Sequence, residues 1–500
     1  MKYLKIKYLI LILAVASISS CELDLIPYSD ITAESLATST SGVSGLANGC
    51  VMMMKEQLTE DTRNMYVRHL FQMEEYPSDN LLIVKSTTDN LWYSFNFEHI
   101  ADQLNTSYLW FTGYKIVLEA DNIIDKVKID AGTSAELKQY VGEAYFYRAI
   151  VFFDLARLFS FPPSHGNDNL GIILRTGIGE DDNKARATVG DTYKQIISDL
   201  KKASELMTMR DPGNNPESVK YGNKWAALGL LSRAFLFTEQ WDSAVYYANQ
   251  VIDESTFELE PRETYISSFW NTPSSKEALF LIYYSKDEDK GEASLGSMYN
   301  GDGSGWGEVF PSQAFQDLVN KYPADVRNDF VDTVFNAAKN ISIYPGTTFK
   351  MFYINKFSNQ DGIPTLTSPI YIRLSEVYLN RAEAYAHLSK DDEALADVNT
   401  IRERAGLTGE ELITNTNITG THGYNTVLEA VLAERRLELA YEGQRRDDLL
   451  RNKIDLDRSY PSAQNLNGDP MIYPYNGNRQ IYLIPLSEII YNPACQQNDN

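Results

Sequence analysis

Four aromatic side chains stand among polar and glycine-rich residues where no helix core serves them. Trp92 lies in "TTDNLWYSFN" beside Asp89 and Asn90, Trp270 lies in "SSFWNTPSS", and Tyr299 and Trp306 flank the run "NGDGSG". A flat indole or phenol stacks on the C–H face of a pyranose ring, while amides and carboxylates at the rim bond the hydroxyls. Tyr and Trp supply rigid area with a polar tip, and ligand pockets pair apolar surface with a few placed polar groups. These residues are the candidate ligand contacts. The same glycine run imitates the start of a calcium loop through Asn300, Asp302 and Ser304. Such a loop ends in a bidentate glutamate at its twelfth position. That position is Pro311, so a flexible glycine loop is favoured over structural calcium, and no cofactor is expected.

Bond-breaking chemistry finds little support. The chain has no H-E-x-x-H, no G-x-S-x-G and no P-loop. Its five histidines, His69, His99, His165, His387 and His422, have no ligand spacing. With 68 acidic residues some carboxylate pairs are inevitable, so a glycosidase pair cannot be inferred from sequence. The ladder Glu434, Arg435, Glu438, Glu442, Arg446 reads as structural, with Glu442–Arg446 an i,i+4 pair. No enzyme activity is expected.

The elements that position the aromatics are mostly helices. Apolar residues recur at three- and four-residue steps over 108–129 and 135–159, the second run stopped by Pro162-Pro163. A third amphipathic run covers 191–207, with Thr188 or Asp191 as its cap. Trp110, Trp225 and Trp241 fall inside helical patterns and read as core. In 224–253, Leu228, Leu231, Ser232, Phe235, Trp241, Ala244, Ala248 and Val251 fit the offsets of a tetratricopeptide helix pair. A second copy, 377–407, places Tyr378, Ala382, Tyr385, Ala394, Val398 and Ile401 alike, with Arg381 where leucine is expected. The copies lie about 150 residues apart, which is no simple tandem solenoid. A further strong helix is expected from 424 to Gly443, then a short one.

The expected fold is therefore mainly α: a tetratricopeptide-like scaffold, an α-α superhelix, with an irregular insert of loops and short strands carrying the ligand site. The insert, 255–370, holds the β-like runs "EALFLIYYS" and "TTFKMFYINKF" and is rich in Gly, Asn, Asp and Pro. Long loops in compact domains tend to be functional. It separates a helical part over 31–254 from a C-terminal helical part over 371–500.

The start of the chain has another character. Lys2, Lys5 and Lys7 precede an apolar run from Tyr8 to Ile18, then Ser19, Ser20 and Cys21. The run is too short to span a bilayer as a helix and has the layout of an export signal, 1–20. Ile18-Ser19-Ser20-Cys21 resembles a bacterial lipobox, in which the cysteine is acylated. Residues 21–30, with Pro27, would then form an extended tether. Cys50 and Cys495 have no supporting spacing and read as free thiols. The formal charge is −23, and removal of the leader with its three lysines leaves the rest more acidic. That balance argues against nucleic acid, whose binders need a basic face, and against electrostatic docking on anionic lipid.

These landmarks, in this order, resemble the SusD/RagB family of Bacteroidetes surface lipoproteins. "CELDLIP" is similar to the family's cysteine followed by L-D-x-x-P, and "GEAYFYRAIVFFDLARLF" to its A-x-x-x-R-A-x-x-x-x-x-L helix. "PIYIRLSEVYLNRAEAYAHL" with "NTIRERAGL", "AERRLELAYEGQRRDDLLR" and "IYLIPLSEIIYNPACQQN" resemble its later signatures, with Arg446 where an aromatic residue is common. The resemblance implies a glycan-binding lipoprotein at the extracellular face of the outer membrane, anchored through Cys21. It implies a SusC-like TonB-dependent transporter as partner, over which the protein acts as a lid and delivers oligosaccharide unchanged. A peptide-binding role, as in the RagB branch, is the alternative, and a surface glycoside hydrolase is a remoter one.

Overall fold

The computed structural model describes residues 33–55, 65–83, 92–179, 183–210, 216–300, 304–334, 338–343, 350–459 and 471–499. The leader, Cys21, the tether, Asp89, Asn90 and Asp302 lie outside the described residues.

The molecule is mainly helical. Helix α1 is Thr40–Lys55, α2 is Tyr66–Glu75, α3 is Leu104–Lys126 and α4 is Ala135–Phe159. Helix α5 is Val189–Leu206, α6 is Lys224–Phe237 and α7 is Trp241–Glu254. Their starts are fixed locally. Ser134, Thr188 and Asn223 each accept a hydrogen bond from a backbone N–H three residues on, which satisfies one of the unpaired donors of a first turn. From Phe146 to Phe159 α4 is buried on every side, as a helix apolar all round must be. Helices α3 and α5 pack on its two flanks.

The two tetratricopeptide-like pairs are distant in sequence but adjacent in space. The second pair is α10, Leu374–His387, and α11, Asp391–Arg404, after two short helices of the insert, α8 (Arg262–Phe269) and α9 (Gln313–Val319). Helix α7 packs on α10, so the stack runs α4, α5, α6, α7, α10, α11 without a gap. Ala244, Ala248, Ala382 and Ala394 are buried, and their small side chains permit this close approach. Polar contacts join the pairs. Arg233 of α6 makes a bidentate bridge to Glu376 of α10 at 2.5 and 2.6 Å. Trp241 stacks on His387 at 4.0 Å. Arg381, the departure from the repeat pattern, bridges Asp397 at 2.8 and 2.7 Å and reaches Asn249 at 2.8 Å.

The insert leaves and rejoins the stack through one short ladder. Strand β1 is Leu81–Ile83, β2 is Ala278–Leu281, β3 is Val309–Pro311, β4 is Val331–Thr333, β5 is Phe352–Ile354 and β6 is Ile370–Arg373. They pair antiparallel as β1–β3, β2–β6 and β4–β5. In the ladder β2–β6, Ala278 faces Arg373 and Leu281 faces Ile370. All four residues of each of these two strands are buried.

The C-terminal helices are α12 (Val427–Glu438), α13 (Arg445–Arg451) and α14 (Leu486–Tyr491). Helix α12 stops before the expected Gly443. Arg373 donates to the carbonyl of Glu438 at 2.7 Å, and Lys356 donates to that of Ala440 at 3.0 Å. Two buried cations thus satisfy carbonyls at the helix end, and the chain turns through Tyr441 and Gly443, both at positive φ. Cys50 and Cys495 are free and buried.

Candidate functional site

The irregular region is built on close backbone contacts that glycine permits. A Cβ on Gly296 would sit 1.8 Å from the Phe357 carbonyl oxygen, and one on Gly305 would sit 2.5 Å from that of Ser297. Neither position accepts a side chain, so three stretches of backbone lie against one another. The N–H of Trp306 donates to Ser297 Oγ at 3.1 Å, that of Gly307 to the Ser297 carbonyl at 3.0 Å, and that of Glu308 to the Met298 carbonyl at 2.9 Å. Trp306 is thus held by its backbone while its side chain stays 52% exposed. An indole fixed at its root and open on its face is a platform for a flat ligand.

Only part of the expected cluster presents itself in this way. Trp92 opens a single helical turn, Trp92–Phe95, half-buried and tilted against Phe95 with ring centroids 5.7 Å apart. Its neighbour Tyr93, which sequence reasoning passed over, is exposed. Strands β1 and β3 end with Ile83 opposite Val309. Trp306 precedes Val309 by three residues and so leads into that end of the ladder.

Trp270 and Tyr299 are placed differently from the sequence expectation. The Trp270 indole N–H donates to the Asn355 carbonyl at 3.0 Å, and its ring packs with Tyr265 and Phe330. Tyr299 is 1% exposed, enclosed by Tyr76, Phe357 and Tyr441. Burial, reinforced by Tyr76 and Glu75, pushes its hydroxyl well above the ordinary phenol range. Both rings belong to packing rather than to an open face. Trp110 is buried, whereas Trp225 and Trp241 are half-buried against the core.

The calcium-like start also closes on itself. The Asn300 amide donates to Ser304 Oγ at 3.0 Å and to the Pro364 carbonyl at 3.3 Å. A hard cation needs convergent oxygens, and here one would-be ligand points an N–H at another. Among the described residues, no group of three or more His, Cys, Asp or Glu side chains gathers to hold a metal.

Beneath this surface lies a buried ionic lattice that the sequence hid among surface-like charges. Glu438 receives Arg404 at 2.5 Å, Arg373 at 2.6 Å and Arg327 at 3.3 Å, together with the Tyr265 hydroxyl at 3.0 Å. Burial alone would raise the Glu438 carboxyl. The three guanidinium groups outweigh it and hold the carboxyl well below the ordinary range. The expected Glu442–Arg446 pair does not form. Glu442 meets Arg373 at 2.8 Å and Lys356 at 2.6 Å, while Arg446 turns to Glu74 at 3.1 Å and to the Arg157 carbonyl at 3.2 Å. A buried carboxylate goes to the cations that best offset its desolvation, and the nearest cation along the helix is not one of them.

Comparison with known proteins fits this architecture. Residues 309–500 match the model of the SusD family, and residues 29–236 match a family described as starch-binding associating with outer membrane. SusD-like protein P2 of Formosa agariphila is 26% identical over 100% of this chain and 99% of its own, and SusD-like protein P38 of the same organism is 24% identical over 99% of both. Among solved structures, a SusD superfamily protein from Bacteroides thetaiotaomicron superimposes with a TM-score of 0.79 at 26% identity, covering 92% of this chain and 100% of that one. A protein described as a putative sugar binding protein from Bacteroides vulgatus gives 0.76 at 27% identity, over 92% and 98%. Two family matches that between them span most of the chain, and relatives aligned from end to end on the same helical stack, lead to one assignment: this protein belongs to the SusD/RagB family.

Proposed function

We propose that this protein is a cell-surface glycan-binding lipoprotein that captures oligosaccharide without altering it and passes it to a SusC-like TonB-dependent transporter. The observation that carries the reading is Trp306, a backbone-pinned, half-exposed indole on the irregular insert. The description of the family matched by residues 29–236, and that of the Bacteroides vulgatus neighbour, support a sugar as ligand. A binding role rather than a catalytic one is supported by the fate of one strongly perturbed carboxylate. Glu75, raised to about 7 by burial, is wholly enclosed and bonded to Asn80 and to the Gly443 N–H, away from any open face.

A partner at the membrane is supported by an apolar stripe. Leu104, Phe111 and Leu118 recur every seven residues on α3 and are all about half exposed. Seven residues are close to two helical turns, so they share one face. Leu486, Ile490 and Tyr491 of α14, the last 81% exposed, continue the apolar surface, since the Leu486 N–H bonds the Ala101 carbonyl at 2.9 Å and Trp110 of α3 reaches Glu488 at 3.1 Å. Contiguous exposed apolar surface marks an interaction site. The first described turn, Ala33–Leu36, packs on the same helix, so the expected tether from Cys21 would bring this face toward the membrane.

Retention on gels carrying neutral polysaccharides tests the ligand. Trp306→Ala is expected to lower retention at least tenfold with an unchanged circular dichroism spectrum, and binding to peptide pools but to no glycan would overturn the sugar reading. Mass spectrometry of the mature protein should find acyl chains on Cys21. Phe111→Asp with Tyr491→Asp should abolish co-purification with an outer-membrane barrel while leaving glycan retention intact.

A further inference from the structure

A cleft of about 340 Å³ lies where the turn after α4 meets the C-terminal tail. It falls at the lower end of the usual range for ligand pockets, about 300–1,000 Å³. One wall is a pair of stacked rings, Phe161 and His165, with centroids 4.9 Å apart and planes 15° from parallel. The His165 Nε2 faces the Leu450 carbonyl at 3.0 Å. A carbonyl only accepts, so that nitrogen carries the proton, and burial holds the ring's pKa below the ordinary imidazole value. The stack is flat and neutral.

The floor is rigid. Gln497 exchanges two hydrogen bonds with the backbone of Ile484, both at 2.7 Å. Asn498 donates to the carbonyls of Phe159 and Tyr482 at 2.9 and 2.7 Å and accepts from Arg186 at 2.7 Å. The closing motif thus fixes the tail by its amides. Three further amides, Asn476, Asn478 and Gln496, line the same cleft, lie exposed, and have side chains that bond no other group among the described residues. Among the described residues no lysine or arginine lines the cleft, and Asp499 at its rim disfavours anions.

We infer that this cleft is a second saccharide site, which takes one or two neutral pyranose units against the Phe161–His165 stack and bonds their hydroxyls through Asn476, Asn478 and Gln496. A hydroxyl both donates and accepts, and so does a primary amide, whereas a carboxylate or a guanidinium does only one. The ligand class rests on the glycan reading of the protein, but no residue of the Trp306 loop takes part.

The test is calorimetric titration of the full mature chain with neutral trisaccharides, namely maltotriose, cellotriose, xylotriose and laminaritriose, after a glycan array has ranked them. The wild type is expected to bind two molecules, and Trp306→Ala one. The exposed-surface variant Asn476→Ala with Asn478→Ala should also bind one, with at least tenfold loss at the vacated site. If the double variant matches the wild type while Trp306→Ala loses binding, the second site is overturned and the glycan reading stands. If only the double variant loses binding, the cleft is upheld and Trp306 is excluded. No neutral glycan bound by the wild type overturns both.

Discussion

Glu438 and Trp306 stand for two regions with opposite uses of polar chemistry. In the helical stack, Glu438 is wholly buried and receives three guanidinium groups and a tyrosine hydroxyl. In the insert, Trp306 is half exposed, and its only bond described is from its backbone. A buried charge network tolerates no missing member, because each loss strands a desolvated partner. An exposed ring on a fixed backbone can change without disturbing what holds it. The comparison teaches that the buried lattice, to which the insert itself contributes Arg327, Tyr265 and Lys356, carries stability, while the exposed ring is free to carry recognition.

Glu438→Ala should give the largest effect. It leaves three cations without their shared carboxylate and should lose roughly 3–5 kcal/mol of unfolding free energy in urea titration. A loss below about 1 kcal/mol would show that the lattice does not hold the fold. Next in size is a pH effect from Glu75, whose carboxyl burial raises to about 7 from an ordinary value of 4.5. Between those values the folded state keeps a proton that the unfolded chain releases. Stability from this group is therefore full below pH 4.5 and declines toward pH 7, on the order of 1–3 kcal/mol. Glu75→Gln should flatten the decline in melting temperature across that window. Glu438, held low, acts with the opposite sign and withdraws stability as the pH falls below 4.5.

Arg381→Leu restores the usual repeat residue but strands Asp397, half of a bidentate bridge. It should lose about 1–3 kcal/mol, and Arg381→Leu with Asp397→Leu should recover most of it in the same denaturation assay. The smallest expected change is Trp306→Ala, within about 0.5 kcal/mol in stability, set against its large effect on glycan retention. Any strong destabilisation there would erase the contrast between the two regions.

The scaffold was legible because its signal is local. Helix α4 runs over the residues its periodicity predicts, Thr188 is the cap that its position suggests, and the alanines at repeat offsets are buried. The end of α12 was not legible, since it depends on Lys356 and Arg373 arriving from far along the chain. The same holds for the buried arginines. A guanidinium reads as surface until the carboxylates that enclose it are known, and those of Arg373 are Glu277, Glu438 and Glu442, the first 96 residues away. For the aromatics, local composition marked Trp306 and Tyr299 alike. Only long-range packing by Tyr76 and Tyr441 separates the enclosed ring from the open one.

The ladder β2–β6 brings the two ends of the insert side by side, Leu281 opposite Ile370. Paired residues in an antiparallel ladder lie about 5 Å apart, so the intervening loop begins and ends at almost one point on the stack. Seen from the helices, that stretch is a module tied at its base, but its Arg327 and Lys356 pair with Glu438 and Glu442 of the C-terminal part, so an exchange of 282–369 would have to keep both cations. A chimera spliced at these two strands should therefore fold only when it brings both cations with it.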